Sequence, residues 1–166
     1  MNLLYSKQSQ KAWLMFKRLL MLTALVSAVM LTGCATVEMG TEAQNVALKK
    51  FDAPPADKAG LYIYRNTFGG QALKKTVTLD GKVIGETANK IFFYKEIKPG
   101  QHNLATESEF SDNKLTFDVV AGKNYFVEQN IKIGVFVGGA NLELVDDATG
   151  KKNVLECNYA VDNIPK

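Results

Sequence analysis

Hydrophobic residues follow two different patterns along the chain, one continuous and one alternating. Residues Leu19 to Leu31 form a nearly unbroken apolar run, interrupted only by Thr23 and Ser27. From Gly60 onward, short segments rich in β-branched and aromatic residues are separated by Gly, Pro, Asn and Asp. Short strands at regular spacing with turn residues between them indicate an antiparallel sandwich or an open barrel. The sequence therefore predicts an apolar N-terminal segment followed by an all-β body.

The alternating pattern predicts the fold of residues 59–145. We expect an all-β antiparallel β-sandwich of about seven short strands, because a sheet buried on one face alternates apolar and polar residues. Leu115, Phe117 and Val119 alternate in this way with Thr116 and with the acidic residue after Phe117. No segment of this region shows helical periodicity.

One hairpin is predicted from its turn. Asp80 and Gly81 form a dipeptide that supplies the positive φ values of a tight two-residue turn. The returning strand begins at Lys82, and Gly85 is expected to end it.

Two helical segments flank the predicted sandwich. Thr41 and Gln44 have the spacing of a capping box, which predicts a short helix to about Lys50 within a tether of residues 34–58. The other flank, residues 146–166, is expected to form a short C-terminal helix. Its apolar residues at helical spacing, with two candidate capping residues before them, are Val154, Cys157, Val161 and Ile164, preceded by Asp146 and Asp147. Cys157 is expected to be buried on the apolar face of this helix.

The N-terminal apolar run has the length of a signal peptide. Lys17 and Arg18 precede it, and a membrane-spanning helix would need about 20 apolar residues. Met15 has the position of an alternative initiator, because a normal signal sequence would begin there. The competing interpretation is an uncleaved membrane anchor, since uncharged residues continue to Val37.

The end of the apolar run resembles the lipobox of bacterial lipoproteins. Its four residues are Leu31, Thr32, Gly33 and Cys34. The resemblance implies recognition of the first three by a signal peptidase, removal of residues 1–33, and attachment of a lipid to the Cys34 thiol. Ala35 follows the cysteine, and by the same resemblance it favours the outer membrane over the inner one. The expected location is therefore the bacterial cell envelope, with the membrane as a partner.

The charge balance changes when the signal segment is removed. The full chain has 20 basic and 17 acidic residues. Four basic residues and no acidic ones lie in residues 1–33, which leaves 16 basic and 17 acidic residues in the mature chain. A net charge near −1 argues against a nucleic-acid partner, which a basic face would attract.

Candidate catalytic chemistry is sparse. His102 is the only histidine, and a metal or catalytic role would require carboxylate partners such as Glu107 or Glu109. Glu107 and Glu109 lie two residues apart, so on a strand they would point in parallel and would not flank a scissile bond. The chain has no phosphate loop, nucleophile elbow or cofactor fingerprint. We therefore expect no enzyme activity, no cofactor and no metal, and we expect His102 either to hydrogen-bond locally or to pack beside the turn.

Three turn motifs in a fixed order resemble those of known β-modules. They are 77–85 (VTLDGKVIG), 97–102 (IKPGQH) and 120–126 (VAGKNYF). This order resembles the small β-sandwich modules typified by PEGA domains. With 59–65 and 134–140, the chain is most similar to the bacterial lipoprotein family that carries domain of unknown function 2846. The resemblance implies a β-sandwich and a lipoprotein habit, and it implies no catalytic residues.

The predicted partner site is an apolar tip. Val135, Phe136 and Val137 follow an alternating segment, and they are expected to form either a buried central strand or an exposed tip that docks on a partner. Neighbours in the aromatic segment 92–94 (FFY) must point to opposite faces, so one or more of the three points outward and could stack on a sugar or a partner. The sequence predicts a non-catalytic, lipid-anchored envelope protein that binds a protein or a glycan. The alternatives are a structural spacer and, more distantly, a glycan-active enzyme.

Overall fold

The structure is a computed structural model that describes residues 37–67, 69–108, 112–132 and 138–162. Within these ranges, nine strands form two sheets. The strands are β1 Ala59–Arg65, β2 Lys75–Leu79, β3 Lys82–Thr87, β4 Ile91–Ile97, β5 Gly100–Thr106, β6 Asn113–Val119, β7 Asn124–Lys132, β8 Gly139–Val145 and β9 Asn158–Tyr159. The strand order is β8-β7-β1-β4-β9 in the five-stranded sheet and β3-β2-β5-β6 in the four-stranded sheet.

The predicted all-β sandwich with two short flanking helices is confirmed. One apolar core lies between the sheets, where residues of β1 and β7 such as Leu61, Ile63 and Val127 meet residues of β2 and β5 such as Val77 and Leu104. Each of these five side chains is fully buried. Burial of such side chains contributes roughly 1.5–3 kcal/mol each to stability.

Two pairings differ from a purely antiparallel arrangement. Strand β1 pairs with β7 in parallel, and β4 pairs with β9 in parallel, so the five-stranded sheet is mixed. The expected end of β3 at Gly85 was wrong. A bulge between Val77 and Thr78 shifts the register, and β3 continues through Gly85 to Thr87. Ile84 is the extra residue of this bulge, and pairing resumes at Gly85, opposite Val77.

Both predicted helices are present, and their caps explain where they begin. Helix α1 spans Glu42–Leu48 and starts with the predicted capping box, in which Thr41 and Gln44 bond each other's backbone N–H groups. Helix α2 spans Asp147–Leu155, and Asp146 caps it by accepting from the backbone N–H of Thr149 at 2.9 Å.

The C-terminal helix is shorter than its apolar spacing suggested. Helix α2 ends at Leu155, so Cys157 and Val161 lie beyond it, and the chain turns into β9 instead. Cys157 is nevertheless fully buried, as predicted. Burial raises the pKa of its thiol to about 12.

The helices cover the outer face of the five-stranded sheet. Tyr62, Tyr64, Phe92 and Phe126 point away from the inter-sheet core and form a second buried cluster with Val154 and Cys157. Strand aromatics do point to both faces, since Phe93 lies in the inter-sheet core. Phe92 and Phe93 are both fully buried, so neither can stack on a partner, whereas Tyr94 is partly exposed and its stacking stays a prediction.

Candidate functional site

The outer face of the four-stranded sheet carries an open groove of about 690 Å³. Its lining residues come from β2, β5, the β2–β3 turn and the start of β6, and they are Thr78, Asp80, Gly81, Asn103, Ala105, Asp112 and Lys114. The volume lies within the range of about 300–1,000 Å³ that small-molecule sites occupy. The lining contains both hydrogen-bond donors and acceptors.

Strand alternation places these side chains on the same face. On β5, Leu104 points into the core, so its neighbours Asn103 and Ala105 point outward. The register aligns Thr78 of β2 and Lys114 of β6 on either side of Ala105. The groove floor is therefore a row across three hydrogen-bonded strands, which gives it a rigid backbone.

The β2–β3 turn forms one end of the groove. Asp80 and Gly81 have φ values of 50° and 77°, so the predicted hairpin turn is confirmed. The turn is tied to β5, because the backbone N–H of Asp80 donates to the carbonyl oxygen of Asn103 at 2.8 Å. The backbone N–H of Asn103 donates in return to Asp80 Oδ1 at 2.9 Å. These two bonds fix the carboxylate at the rim.

His102 supports this rim from the other face of β5. Its Nδ1 lies 2.7 Å from Asp80 Oδ2, and its Nε2 lies 2.7 Å from the carbonyl oxygen of Lys98. Both neighbours are acceptors, so both ring nitrogens must carry hydrogen to satisfy them, which is the charged form of histidine. Burial opposes this charge, but the two hydrogen bonds outweigh it, and the pKa of His102 is raised.

Charges at the groove are mixed. Burial disfavours a charged Asp80, but the Asn103 N–H and the His102 ring prevail and hold the pKa of Asp80 below its ordinary value. The carboxylates of Asp80 and Asp112 lie on opposite sides of the row of groove residues. Asp80 is held beside Asn103, whereas Asp112 precedes Asn113, which pairs with Thr106. Thr106 is three residues from Asn103, which corresponds to about 10 Å along β5. Lys114 adds one positive charge between them.

The lining can bind a polar chain by hydrogen bonds. Asn103 offers an amide on the exposed face, where its Oδ1 accepts from the Thr116 hydroxyl at 2.6 Å and its Nδ2 carries two further donor hydrogens. None of the lining residues is aromatic, so a ring-stacking contact with a sugar is absent from the groove as described. The arrangement therefore favours recognition through directional hydrogen bonds and one or two charges.

The structure does not bring the sequence-predicted catalytic candidates together. His102 hydrogen-bonds locally, as predicted, and its ring lies on the opposite face of β5 from Asn103. Glu107 is five residues farther along, about 16 Å away, and its Oε1 accepts from the backbone N–H of Thr76. Glu109 lies outside the described residues. In the ranges that the structure describes, no three His, Cys, Asp or Glu side chains cluster to hold a metal ion.

The remaining predicted site residues also lie outside the described residues. They are the lipobox residues Leu31, Thr32, Gly33 and Cys34 and the apolar tip Val135, Phe136 and Val137. Among the described helices, neither is both long and apolar enough to cross a membrane.

Sequence reasoning did not single out the groove. Asp80 was identified for its turn and Asn103 was not identified at all, because outward polar residues on strands are the ordinary pattern of a solvated sheet. The polar residues that point outward from neighbouring strands could have indicated the groove. Their alignment, however, depends on the strand register, which sequence patterns do not fix.

Most of the sandwich matches one protein family. A family model described as "Protein of unknown function (DUF2846)" matches residues 55–140, slightly more than half of the chain. The chain belongs to this family. The resemblance noted from the turn motifs is therefore confirmed at the level of the family. The DUF2846 match spans β1 to β7 and the beginning of β8, and it includes every residue of the groove.

The chain is also similar to a protein of known source. An uncharacterized protein of Haemophilus influenzae is 49% identical over 136 residues, which are 82% of this chain and 81% of that protein. The alignment is longer than the DUF2846 match, so the similarity extends beyond it. No solved structure gives a significant match.

Proposed function

We propose that this DUF2846 chain is a non-catalytic envelope lipoprotein, anchored through Cys34, whose β-sandwich binds a polar partner. The partner is a glycan or a protein segment rich in hydrogen-bonding groups. The observation that carries the proposal is the asymmetry of the two outer faces. Helices α1 and α2 cover the face of the five-stranded sheet, whereas no helix among the described residues covers the face of the four-stranded sheet, which carries the groove.

The groove is suited to a polymer more than to an enclosed small molecule. It is open along a sheet surface, and its lining offers the Asn103 amide, the Thr78 hydroxyl and the Lys114 ammonium group. Sugars and peptide backbones both present hydrogen-bond donors and acceptors that such groups can pair with. An open polar surface without an aromatic residue gives modest affinity, because each exposed hydrogen bond contributes about 0.5–1.5 kcal/mol.

The proposed anchor rests on the sequence of the N-terminal segment. The run from Leu19 to Leu31 followed by Thr32, Gly33 and Cys34 supports processing as a lipoprotein, and Ala35 supports transfer to the outer membrane. One acyl chain alone binds membranes marginally, so a durable anchor requires the additional chains of a mature lipoprotein. A PEGA-like relationship of the sandwich belongs to the same proposal.

The anchor is tested by intact mass and fractionation of wild type and Cys34→Ala. We expect a wild-type chain that begins at Cys34, carries acyl mass and sediments with membranes. The variant should lack the acyl mass and leave the membrane fraction. An unprocessed, unacylated wild-type chain would contradict the proposal.

Binding is tested with two groove variants and one control on the same face. Asn103→Ala and Lys114→Ala remove groove contacts, whereas Asp118→Ala changes an exposed residue of β6 that does not line the groove. Purified protein is first sedimented with insoluble cell-wall peptidoglycan. A photo-crosslinking residue at position 105 then captures protein partners in intact cells.

The two experiments distinguish a glycan partner from a protein partner. Peptidoglycan retention that falls several-fold in both groove variants, but not in Asp118→Ala, supports a glycan. A discrete cross-linked band at position 105, lost in the same variants, supports a protein. If neither occurs, the binding proposal is wrong, and a structural role at the envelope surface is left as the second candidate. That candidate is favoured by the scattered positions of the exposed apolar side chains, such as Val46, Val120 and Leu155.

A further inference from the structure

The segment between the lipobox and the sandwich is docked on the body. Met39 forms a bridge with Ala160, and the backbone N–H of Gly40 donates to the carbonyl oxygen of Tyr159 at 2.9 Å. The backbone N–H of Val161 donates to the carbonyl oxygen of Glu38 at 3.1 Å. Residues 37–40 therefore extend the five-stranded sheet beyond β9.

Helix α1 is held by separate contacts. The Tyr62 hydroxyl donates to the carbonyl oxygen of Leu48 at 2.9 Å, and Asn45 Oδ1 accepts from the backbone N–H of Tyr159 at 3.1 Å. Phe51 makes edge contacts with the rings of Tyr62 and Phe126, with centroids 5.5 and 5.8 Å apart. These contacts fix the helix and the residues after it to the sheet.

The chain beyond this helix is also held. The side-chain amide of Asn124 donates to the carbonyl oxygens of Phe51 and Asp52 at 3.1 Å each. Val37, the first described residue, is partly buried against the inter-sheet core. The stretch expected to be a tether is thus attached at both ends and in its middle.

This attachment limits the distance between the sandwich and a lipid on Cys34. Only Ala35 and Thr36 separate Cys34 from Val37, so the two Cα atoms lie at most about 11 Å apart, whatever the backbone conformation. A free linker over residues 34–58 would instead have a root-mean-square length of about 27 Å. The headgroup layer of a bilayer is itself about 6 Å thick on each side.

We propose that the sheet edge formed by residues 37–40 and 158–162 faces the lipid headgroups, so that the sandwich is held flush against the membrane in one orientation. The inference rests on the proposed anchor at Cys34. It places the membrane surface, and no second protein, against this edge, where Met39 is 45% exposed. Partners that the sandwich binds must then come to the membrane surface, because the anchor gives the sandwich little reach.

The test measures Förster transfer to an acceptor lipid from dyes at two positions. The full acylated chain is reconstituted in vesicles of phosphatidylethanolamine and phosphatidylglycerol, with a dye on Asp162→Cys or on Asp118→Cys. Asp162 is an exposed residue of the proposed edge that only the docking of residues 37–40 holds near Cys34, and Asp118 lies on β6 at the far edge of the other sheet. Buried Cys157 stays unlabelled in the folded protein.

We expect strong transfer from position 162 and clearly weaker transfer from position 118. A 12-residue Gly/Ser linker inserted between Ala35 and Thr36 should lower the transfer at 162 and remove most of the difference between the sites. The same linker appended after Lys166 is the control and should change neither value. Asn45→Ala, which removes the acceptor for Tyr159 N–H, should lower the transfer at 162 partly.

The outcomes separate this inference from the anchor itself. Acylated protein that floats with the vesicles but shows equal transfer from both sites, unchanged by the inserted linker, overturns the fixed orientation alone. Wild-type chain that carries no acyl mass and fails to float overturns the anchor at Cys34, and the orientation with it.

Discussion

His102 and Asp80 hold each other in their charged forms at a separation of 2.7 Å between Nδ1 and Oδ2. The pair joins the β2–β3 turn to β5 and sets the rim of the groove. Each partner stabilises the charge of the other. The contribution of the pair to the free energy of unfolding is therefore lost at low pH, where Asp80 is protonated, and at high pH, where His102 is neutral.

The pH dependence of this pair is our first prediction. The pKa of His102 is raised, so its contribution is complete below the unfolded value of about 6.5 and is lost as pH rises through the folded value. The pKa of Asp80 is lowered, so its contribution is present above about 3.9 and is lost as pH falls through the folded value. Between these limits we expect His102→Gln to lower the free energy of unfolding by about 1 kcal/mol.

Two measurements check this. The first is urea denaturation of wild type and His102→Gln from pH 4 to pH 9. The difference between their free energies of unfolding should become smaller above neutral pH. Because His102 is the only histidine, its ring resonance can be followed directly by NMR. A titration midpoint at or below 6.5 in the folded protein would show that the pair does not stabilise the charged ring.

A second prediction concerns the buried polar bridge between the sheets. Gln129 of β7 is fully buried; its Nε2 donates to the Thr106 hydroxyl at 2.7 Å, and its Oε1 accepts from the Thr87 hydroxyl. Thr87→Val keeps the shape but leaves Gln129 Oε1 without that donor. We expect a loss of about 1–3 kcal/mol in the free energy of unfolding.

The matched control is Thr116→Val on the exposed face of β6. Its hydroxyl also donates to a side-chain oxygen, that of Asn103, but water can replace the lost bond there. Chemical denaturation should give a change below about 0.5 kcal/mol for this variant. Equal losses in the two variants would mean that burial does not determine the cost.

A third prediction concerns the contact between α2 and the sheet. Gly150 lies so close to Phe126 that a Cβ built on it overlaps the ring. Alanine is the better helix former by up to about 1 kcal/mol, but here the helix must move off the sheet. We expect Gly150→Ala to lower the melting temperature, whereas Gly69→Ala, which meets no atom within 4 Å, should leave it nearly unchanged. A rise in the melting temperature of Gly150→Ala would contradict the packing described.

Local signals in the sequence were sufficient for the turns and caps. The Asp80–Gly81 turn and the Thr41 capping box depend on residues within four positions of each other, and both form as predicted. Alternation was likewise sufficient for β6, whose Phe117 and Val119 face the core, whereas β1 is buried on both faces and was indicated by its β-branched and aromatic residues. The fold class followed from these elements.

Relations between distant segments could not be predicted in the same way. The parallel pairing of β1 with β7 joins residues 64 positions apart, and nothing in either segment specifies it. Tyr62, Phe92 and Phe126 occupy outward positions that are buried only because two helices return to cover them. The helical spacing of Val154 and Cys157 was misleading for the same reason, since Cys157 reaches the aromatic cluster through a turn.

The groove belongs to this second class. Thr78, Ala105 and Lys114 are 36 positions apart along the chain at their extremes and become neighbours only through the register of three strands. Each residue alone looks like an ordinary solvated strand residue. Only the assembled sheet distinguishes the row from the rest of the polar surface.

Our last prediction concerns the reactivity of Cys157. The thiol is fully buried, and its Sγ lies 3.7 Å from the carbonyl oxygen of Arg65, the acceptor to which it donates. Burial raises its pKa to about 12, so at pH 8 almost none of it is the reactive thiolate. We expect a chain whose Cys34 is acylated or replaced by serine to react with a maleimide at least a hundredfold more slowly when folded than in 6 M guanidinium chloride. As a control, Glu38→Cys supplies an exposed thiol that should label rapidly in the same folded protein. Comparable labelling of positions 38 and 157 under native conditions would place the C-terminal turn outside the core and contradict the second buried cluster.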